Sequence, residues 1–370
     1  MLDPTTFHYL GRRSDNLQDV VIDGEVAFPK GSFHATAELA AGVVDGAAGA
    51  VKRAVLRGRA SWRRPSIGRV EVPGAEERLP APVAVFEQQR PRLFALAYRL
   101  LGSAAEAEDM VQEAYVRWSQ AGPVEVPAAW LTRVVTNLCL TQLASARRRR
   151  ESYVGPWLPE PVLTGDGALG PLETVEQRES VSLGVLILLE RLTPVERAVF
   201  VLREAFGYGH AEVAGILGIT EAHSRQLHRR ARAHVGEPRK RFESDREHHR
   251  RIVRGFLRAT LGGDVAELER LLADDVVAWA DGGGTATAAR RPVLGRAKVL
   301  RYLRGLAGRR EAARIAWDIV EVNGEPAVVV RDAGGDLWAI FTVEIADGRV
   351  SAIRTILSPA KLAFAATQLM

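Results

Sequence analysis

Two hydrophobic periods divide the chain. Over "VFEQQRPRLFALAYRLLG", Phe86, Leu93, Leu96, Ala97, Leu100 and Leu101 recur at helical spacing and the stripe stops at Gly102, which predicts an amphipathic helix with a glycine end. Ser103 stands at a cap position before "AAEAEDMVQEAYVRWSQA", whose first turns are acidic as the helix dipole favours. Pro127 opens a third helix, "AAWLTRVVTNLCLTQLASARRRR". A second helical region is expected over 173–240, its pattern fading near 235. From 247 to 370 two helices ("HHRRIVRGFLRATLGG", "DVAELERLLA") give way to period-two strands: "VVAWAD", "ARIAWDIVEV", "PAVVVRD", "LWAIFTVEIA" and "RVSAIRTILS". Asn323-Gly324 and Asp347-Gly348 supply hairpin turns between them. This last segment reads as α+β with a mostly antiparallel sheet.

Residues 1–82 show no comparable pattern. They read as a poorly ordered or loosely packed extension, with one short helix at "ATAELAAGVVDGAAGAVKRAVL" and turn signals at Pro65, Pro73, Pro80 and Pro82. The stretch 153–172 is a linker of an unusual kind. Its start, "YVGPWLPEP", has three prolines and a glycine, so no helix continues through it. Yet Tyr153, Val154, Trp157 and Leu158 are too apolar for a plain spacer, which predicts that the linker docks on something.

Composition narrows the classes. A chain of 370 residues suggests two or three domains, and a net charge of +5 with a pI near 9.6 suits a polyanionic partner. The single cysteine, Cys139, rules out an internal disulfide and a cysteine-based metal cluster. No metal or cofactor is expected. No apolar run is long enough to span a membrane and the start lacks a signal-peptide core, so a cytoplasmic location is expected.

The strongest local motif is "HAEVAGILGITEAHSRQLHRRARAHV". A short helix carrying Val213, Ala214 and Leu217 breaks at Gly218, and Thr220 can cap a longer one. This is helix-turn-helix spacing. His223 and Ser224 lie in the first turn of the second helix, followed by Arg225, Gln226, Arg229 and Arg230. Arginine and glutamine read purine edges or hold phosphates in a major groove. A second signal is the carboxylate cluster Glu106, Glu108, Asp109 and Glu113 in an otherwise basic chain, which suits a protein partner rather than DNA. A third is the helix from Trp130 to Arg150, where aromatic and polar residues precede a basic end, as a groove for unpaired bases requires.

The segments "RLLGSAAEAEDMVQEAYVRW", "AWLTRVVTNLCLTQLASARRRRE" and "LTPVERAVFVLREAFGYGHAEVAGILG" together resemble bacterial RNA polymerase sigma factors of the extracytoplasmic-function class, in the order and spacing of regions 2 and 4. The resemblance implies a multidomain fold: an all-α region 2 bundle over 83–152, an all-α region 4 helix-turn-helix over 173–240, and a C-terminal α+β domain of the SnoaL/NTF2-like type, a cone, over 247–370. It implies that Asp109, Gln112 and Glu113 face core RNA polymerase. It also implies that Trp130, Arg133, Asn137, Arg147 and Arg148 meet the minus-ten promoter element, while the helix from Thr220 meets the minus-thirty-five element. "WLPEP" resembles the linker of a subgroup with such a fused domain, whose motifs correspond here to "DGGGT" (Asp281, Gly282, Gly283, Gly284, Thr285) and "SPAKL" (Ser358 to Leu362). The implied partner of Trp157, Leu158 and Pro159 is that domain, with Asp281–Gly284 and Lys361 near the contact, so that no separate anti-sigma factor is required. Trp279, Trp317, Trp338 and Phe341 are expected in its core. No histidine follows His249, which excludes a histidine base there and leaves Asp281, Asp318, Glu321 and Arg354 as the acid/base candidates of an enzymatic alternative. The expected function is promoter-specific transcription initiation without enzymatic activity. The alternative is a DNA-binding regulator whose last domain senses a ligand or catalyses a reaction.

Overall fold

The computed structural model describes residues 21–22, 26–27, 81–165, 169, 180–236, 246–307 and 315–370, without side chains at 21–22, 26–27, 81, 146–149 and 151. The expected helix and loose packing within 1–82 lie outside the described residues, apart from an antiparallel ladder of β1 (Val21–Ile22) and β2 (Val26–Ala27). That ladder falls in a unit, Met1–Glu76, separate from the unit Glu77–Met370 that contains everything below.

Helices α1 (Ala81–Leu101), α2 (Ala104–Gln120) and α3 (Pro127–Glu151) form the first bundle. Ser103 caps α2 by accepting the Glu106 N–H, and Pro127 occupies the first turn of α3, where its missing N–H costs nothing. Leu93, Leu96, Leu100 and Leu101 bury against Val111, Ala114, Leu131, Val135 and Cys139. Helices α4 (Leu183–Leu189), α5 (Pro194–Glu204), α6 (His210–Leu217) and α7 (Glu221–Val235) follow. Thr193 and Glu196 form a capping box at α5, Gly218 ends α6 at φ 68°, and Thr220 caps α7. The two helical groups share one hydrophobic core, with α3 packed on α5 and α6.

The C-terminal part begins with α8 (Arg246–Gly262) and α9 (Val265–Leu271). Then come β3 (Leu272–Asp281), β4 (Val293–Leu294), α10 (Arg296–Ala307), β5 (Ala316–Val322), β6 (Glu325–Arg331), β7 (Leu337–Ala346), β8 (Arg349–Ile356) and α11 (Pro359–Gln368). The six-stranded sheet runs β4-β3-β8-β7-β6-β5, parallel only between β3 and β8. This is the α+β architecture expected. Period-two geometry gives the sheet two buried faces. Val328 and Val330 of β6 meet Phe256, Val299 and Leu303, which lie on the helices of one face. Ala327 and Val329 meet Leu362 and Ala365 of α11 on the other, together with Leu158 and Leu183 from outside the domain.

Candidate interdomain clasp and nucleic-acid interface

Asp281, at the end of β3, is fully buried, and its carboxylate accepts hydrogen bonds from both sides of a domain junction. Oδ1 takes the Tyr153 hydroxyl at 2.6 Å and the Gly283 N–H at 3.1 Å. Oδ2 takes the Leu158 N–H at 2.8 Å and the Lys361 ammonium at 2.6 Å. Lys361 Nζ also donates to the Leu158 carbonyl and lies over the rings of Tyr153 and Trp157, 4.5 and 4.4 Å from their centroids. The Asp281 carbonyl accepts the N–H groups of Leu357 and Ser358. The glycines after Asp281 make room on both sides: at Gly283, φ 61°, a Cβ would lie 2.5 Å from Ser358 Oγ ahead of α11 and 3.3 Å from the Tyr153 hydroxyl of the linker, and Gly284 packs on Val154. Burial pushes the Tyr153 phenol up, reinforced by its bond to Asp281.

Burial also lowers the Lys361 ammonium to about 8, outweighing the attraction of Asp281. A lysine released to water titrates near its ordinary value, so the open form binds more protons between pH 8 and 10. Rising pH through that window is therefore expected to favour the docked form. The check is domain opening followed by hydrogen exchange at pH 7.5 and 9.5. The change with pH should disappear in Lys361→Met, and an unchanged profile in that variant would count against the assignment.

The linker divides its contacts between two partners. Leu158, 1% exposed, enters the apolar cluster of the sheet and α11. Trp157 is only half-buried: it stacks under the Arg150 guanidinium at 3.8 Å and covers Gly102, where a Cβ would lie 3.0 Å from its ring. Trp157, expected to dock on the C-terminal domain, meets Lys361 of that domain and the first bundle as well. Its ring bridges the first bundle and Lys361, and Leu158 is the fully buried apolar contact. Pro159 is buried beside Gly102. Glu160, which sequence reasoning did not single out, caps α2 by accepting the Ala104 and Ala105 N–H groups and the Ser103 hydroxyl. Burial raises its carboxyl above the usual range.

A second junction forms at the β5–β6 turn. Asn323 is fully buried at φ 54°. Its amide donates to the Tyr98 hydroxyl of α1 at 2.7 Å and to the Val181 carbonyl at 2.8 Å, while its Oδ1 accepts the Val162 N–H. One side chain thus joins the first bundle, the linker and the approach to α4. Leu163 bridges Val322, and Thr164 bonds Glu321 and Gly324, so the linker lies along the end of the β5 edge.

The proposed recognition residues lie elsewhere. Asp109 and Gln112 are exposed on α2; Glu113 pairs with Arg117, Glu108 with Arg90, and Glu106 with Gln142. Arg133 and Asn137 are exposed one turn apart on α3, and Trp130 packs half-buried against Trp118. The side chains of Arg147 and Arg148 lie outside the described residues. Arg150, grouped with them by sequence, points inward, pairing with Glu190 beside the Glu190–Arg197 pair and bonding the Leu101 carbonyl. On α7, His223, Arg225, Gln226, Arg229 and Arg230 are exposed and Arg225 pairs with Glu221. Ser224 is a correction: it is fully buried and bonds His210 at 3.0 Å, so it holds α7 on α6 and faces no groove. Thr220 is exposed, but its oxygen is engaged as the α7 cap.

Sigma-70 region 2 matches residues 85–149 and sigma-70 region 4 matches residues 185–235. Over 288 residues the chain is 40% identical to the ECF RNA polymerase sigma factor SigJ of Mycobacterium tuberculosis (strain H37Rv), covering 75% of this chain and 92% of SigJ. It is 36% identical over 184 residues to the ECF RNA polymerase sigma factor SigG of the same strain, covering 44% of this chain and 49% of SigG. The crystal structure of M. tuberculosis SigJ superposes with a TM-score of 0.62 at 37% identity, over 76% of this chain and 98% of that one.

Proposed function

Because the chain belongs to the extracytoplasmic-function sigma factors, which direct RNA polymerase to promoters, we propose that its fused C-terminal domain keeps it closed until a signal releases it. The observation that carries this reading is the Asp281 carboxylate, which binds the linker and Lys361 in one buried site. The same closed form packs α3 directly on α5 and α6. Elements named for positions about 25 base pairs apart lie roughly 80 Å apart on a duplex, at about 3.4 Å per pair. Readers packed together do not span that length, so promoter binding requires opening. A tethered domain acts at high effective concentration, which makes a separate anti-sigma factor unnecessary. Asp318 is exposed, Glu321 is held by Arg246 and Thr164, Arg354 by Glu344, and Asp281 by the clasp, which favours a binding role over an enzymatic one. Among the described residues no helix is long and apolar enough to cross a membrane, which fits work in the cytoplasm.

Run-off transcription with core polymerase, at a promoter mapped from RNA 5′ ends in cells overproducing the chain, tests the reading. Leu158→Ser, which removes the buried linker contact, should transcribe more per mole than the unaltered chain. Equal output would refute control through this junction. Polymerase docking is tested separately. Asp109→Arg with Glu113→Arg should lose co-purification with core polymerase while the helical circular dichroism stays unchanged, because both positions lie on the outer face of α2. Retained co-purification would move the docking surface elsewhere.

A further inference from the structure

The outward faces of α8 and α10 are basic. Helix α8 carries five arginines and one glutamate, and α10 carries three arginines and a lysine without a carboxylate, whereas the whole chain nets only +5. Val253, Phe256 and Leu257 of α8, with Val299 and Leu303 of α10, turn to the sheet. At 3.6 residues per turn the opposite arcs hold Arg250, Arg251, Arg254 and Arg258 on α8, and Lys298, Arg301 and Arg304 on α10, all of them exposed. The two helices pack side by side, so the arcs make one surface. Arg250, Arg254 and Arg258 follow one another at four-residue steps, about 6 Å each. Like charges at that spacing destabilise a helix. A face that meets only water alternates its signs, as α2 does with Glu113 and Arg117. Alternation returns at the border of the surface, where Glu267 pairs with Arg270 and Asp274 with Arg296.

We propose that this surface holds the phosphate backbone of duplex DNA without reading its sequence, so that the fused domain grips DNA as well as restraining the promoter readers. Arginine forks match phosphate oxygens. Two helices side by side, each about 10 Å across, make a surface too broad for a major groove about 12 Å wide, so it meets the backbone and not the base edges. Duplex DNA is the polyanion on which a sigma factor works, and it presents its charge along the whole helix. Regions 2 and 4 and the linker pack on the other side of the sheet, through Leu158, Leu183 and the stacking of Phe94 on Phe364. The surface is therefore exposed in the closed form, and the proposal does not rest on the clasp.

Anisotropy of a fluorescein-labelled duplex without promoter elements, titrated with the full chain at several salt concentrations, tests it. Arg254→Gln, Arg258→Gln, Arg301→Gln and Arg304→Gln are combined; all four side chains are exposed, so the helical circular dichroism should stay unchanged. Affinity should fall about tenfold or more, and the slope of log K against log salt should shrink by about three to four, near 0.9 per phosphate contact. The milder pair Arg254→Gln with Arg301→Gln should lose about half of that slope. The same losses are expected on a promoter duplex. Unchanged affinity and slope in both variants overturn the proposal, and so does a loss confined to the promoter duplex. Retained DNA binding with lost binding to phosphatidylglycerol vesicles also overturns it, and makes the surface a membrane contact.

Discussion

Asparagine at position 281 is expected to open the closed chain and raise its transcription. The substitution keeps the side-chain shape but removes the charge that faces the buried Lys361 ammonium 2.6 Å away. An amide cannot accept on both arms, so the Tyr153 hydroxyl and Gly283 N–H, or the Leu158 N–H and Lys361, lose their acceptor. Breaking one side of a buried ion pair costs about 3–5 kcal/mol, because the remaining charge stays desolvated. The domain escapes that cost by undocking, which returns Lys361 to water. The closed–open ratio should therefore shift by about two to four orders of magnitude, at about 1.4 kcal/mol per tenfold. Run-off transcription per mole of chain reads this directly, and an output equal to the unaltered chain's would refute the role of Asp281.

The second large effect is expected at Asn323. Alanine there leaves the Val162 N–H and the Val181 carbonyl without their side-chain partner in a fully buried site. Each orphaned group costs about 1–3 kcal/mol, and the left-handed backbone at φ 54° adds about 1–2 kcal/mol for a residue other than glycine or asparagine. Asn323→Gly removes the same hydrogen bonds but relieves the backbone. Hydrogen exchange at the amides of 162–164 should speed up strongly in both variants, with alanine the more affected. Protection unchanged in Asn323→Ala would mean that this turn does not hold the linker.

The sequence carried the helical half of this molecule well, for a local reason. Caps such as Ser103, Thr193 and Thr220, the glycine stop at 218 and the 3.6-residue stripes act within a few residues of themselves. The apolar excess of "YVGPWLPEP" likewise announced docking, because buried apolar surface must be written into the segment that buries it. Its direction was not legible. Trp157 turned partly to Gly102 and Arg150, a choice set by the end of a helix about fifty residues away. Asn323 read as a hairpin turn, and its backbone obeys that reading. Its side-chain partner Tyr98 lies 225 positions away, which no local rule reaches. Ser224 and Arg150 share that difficulty: a polar side chain on a helix looks the same in sequence whether it faces solvent or a neighbouring element. Trp338 of β7, expected in the core, is 45% exposed, because period-two alternation fixes the face of a strand and not what lies before it.

The central claim is that the fused domain holds the readers of the two promoter elements together. Pulsed electron-spin distance measurement tests it most directly, with one label on exposed Glu125 just before α3 and another on exposed Arg230 of α7, each placed on a substituted cysteine. Cys139 is buried and leaves those labels distinct. The unaltered chain should give one narrow, short distance, and Asp281→Asn should give a longer and broader one. The same short distance in both chains would contradict the account.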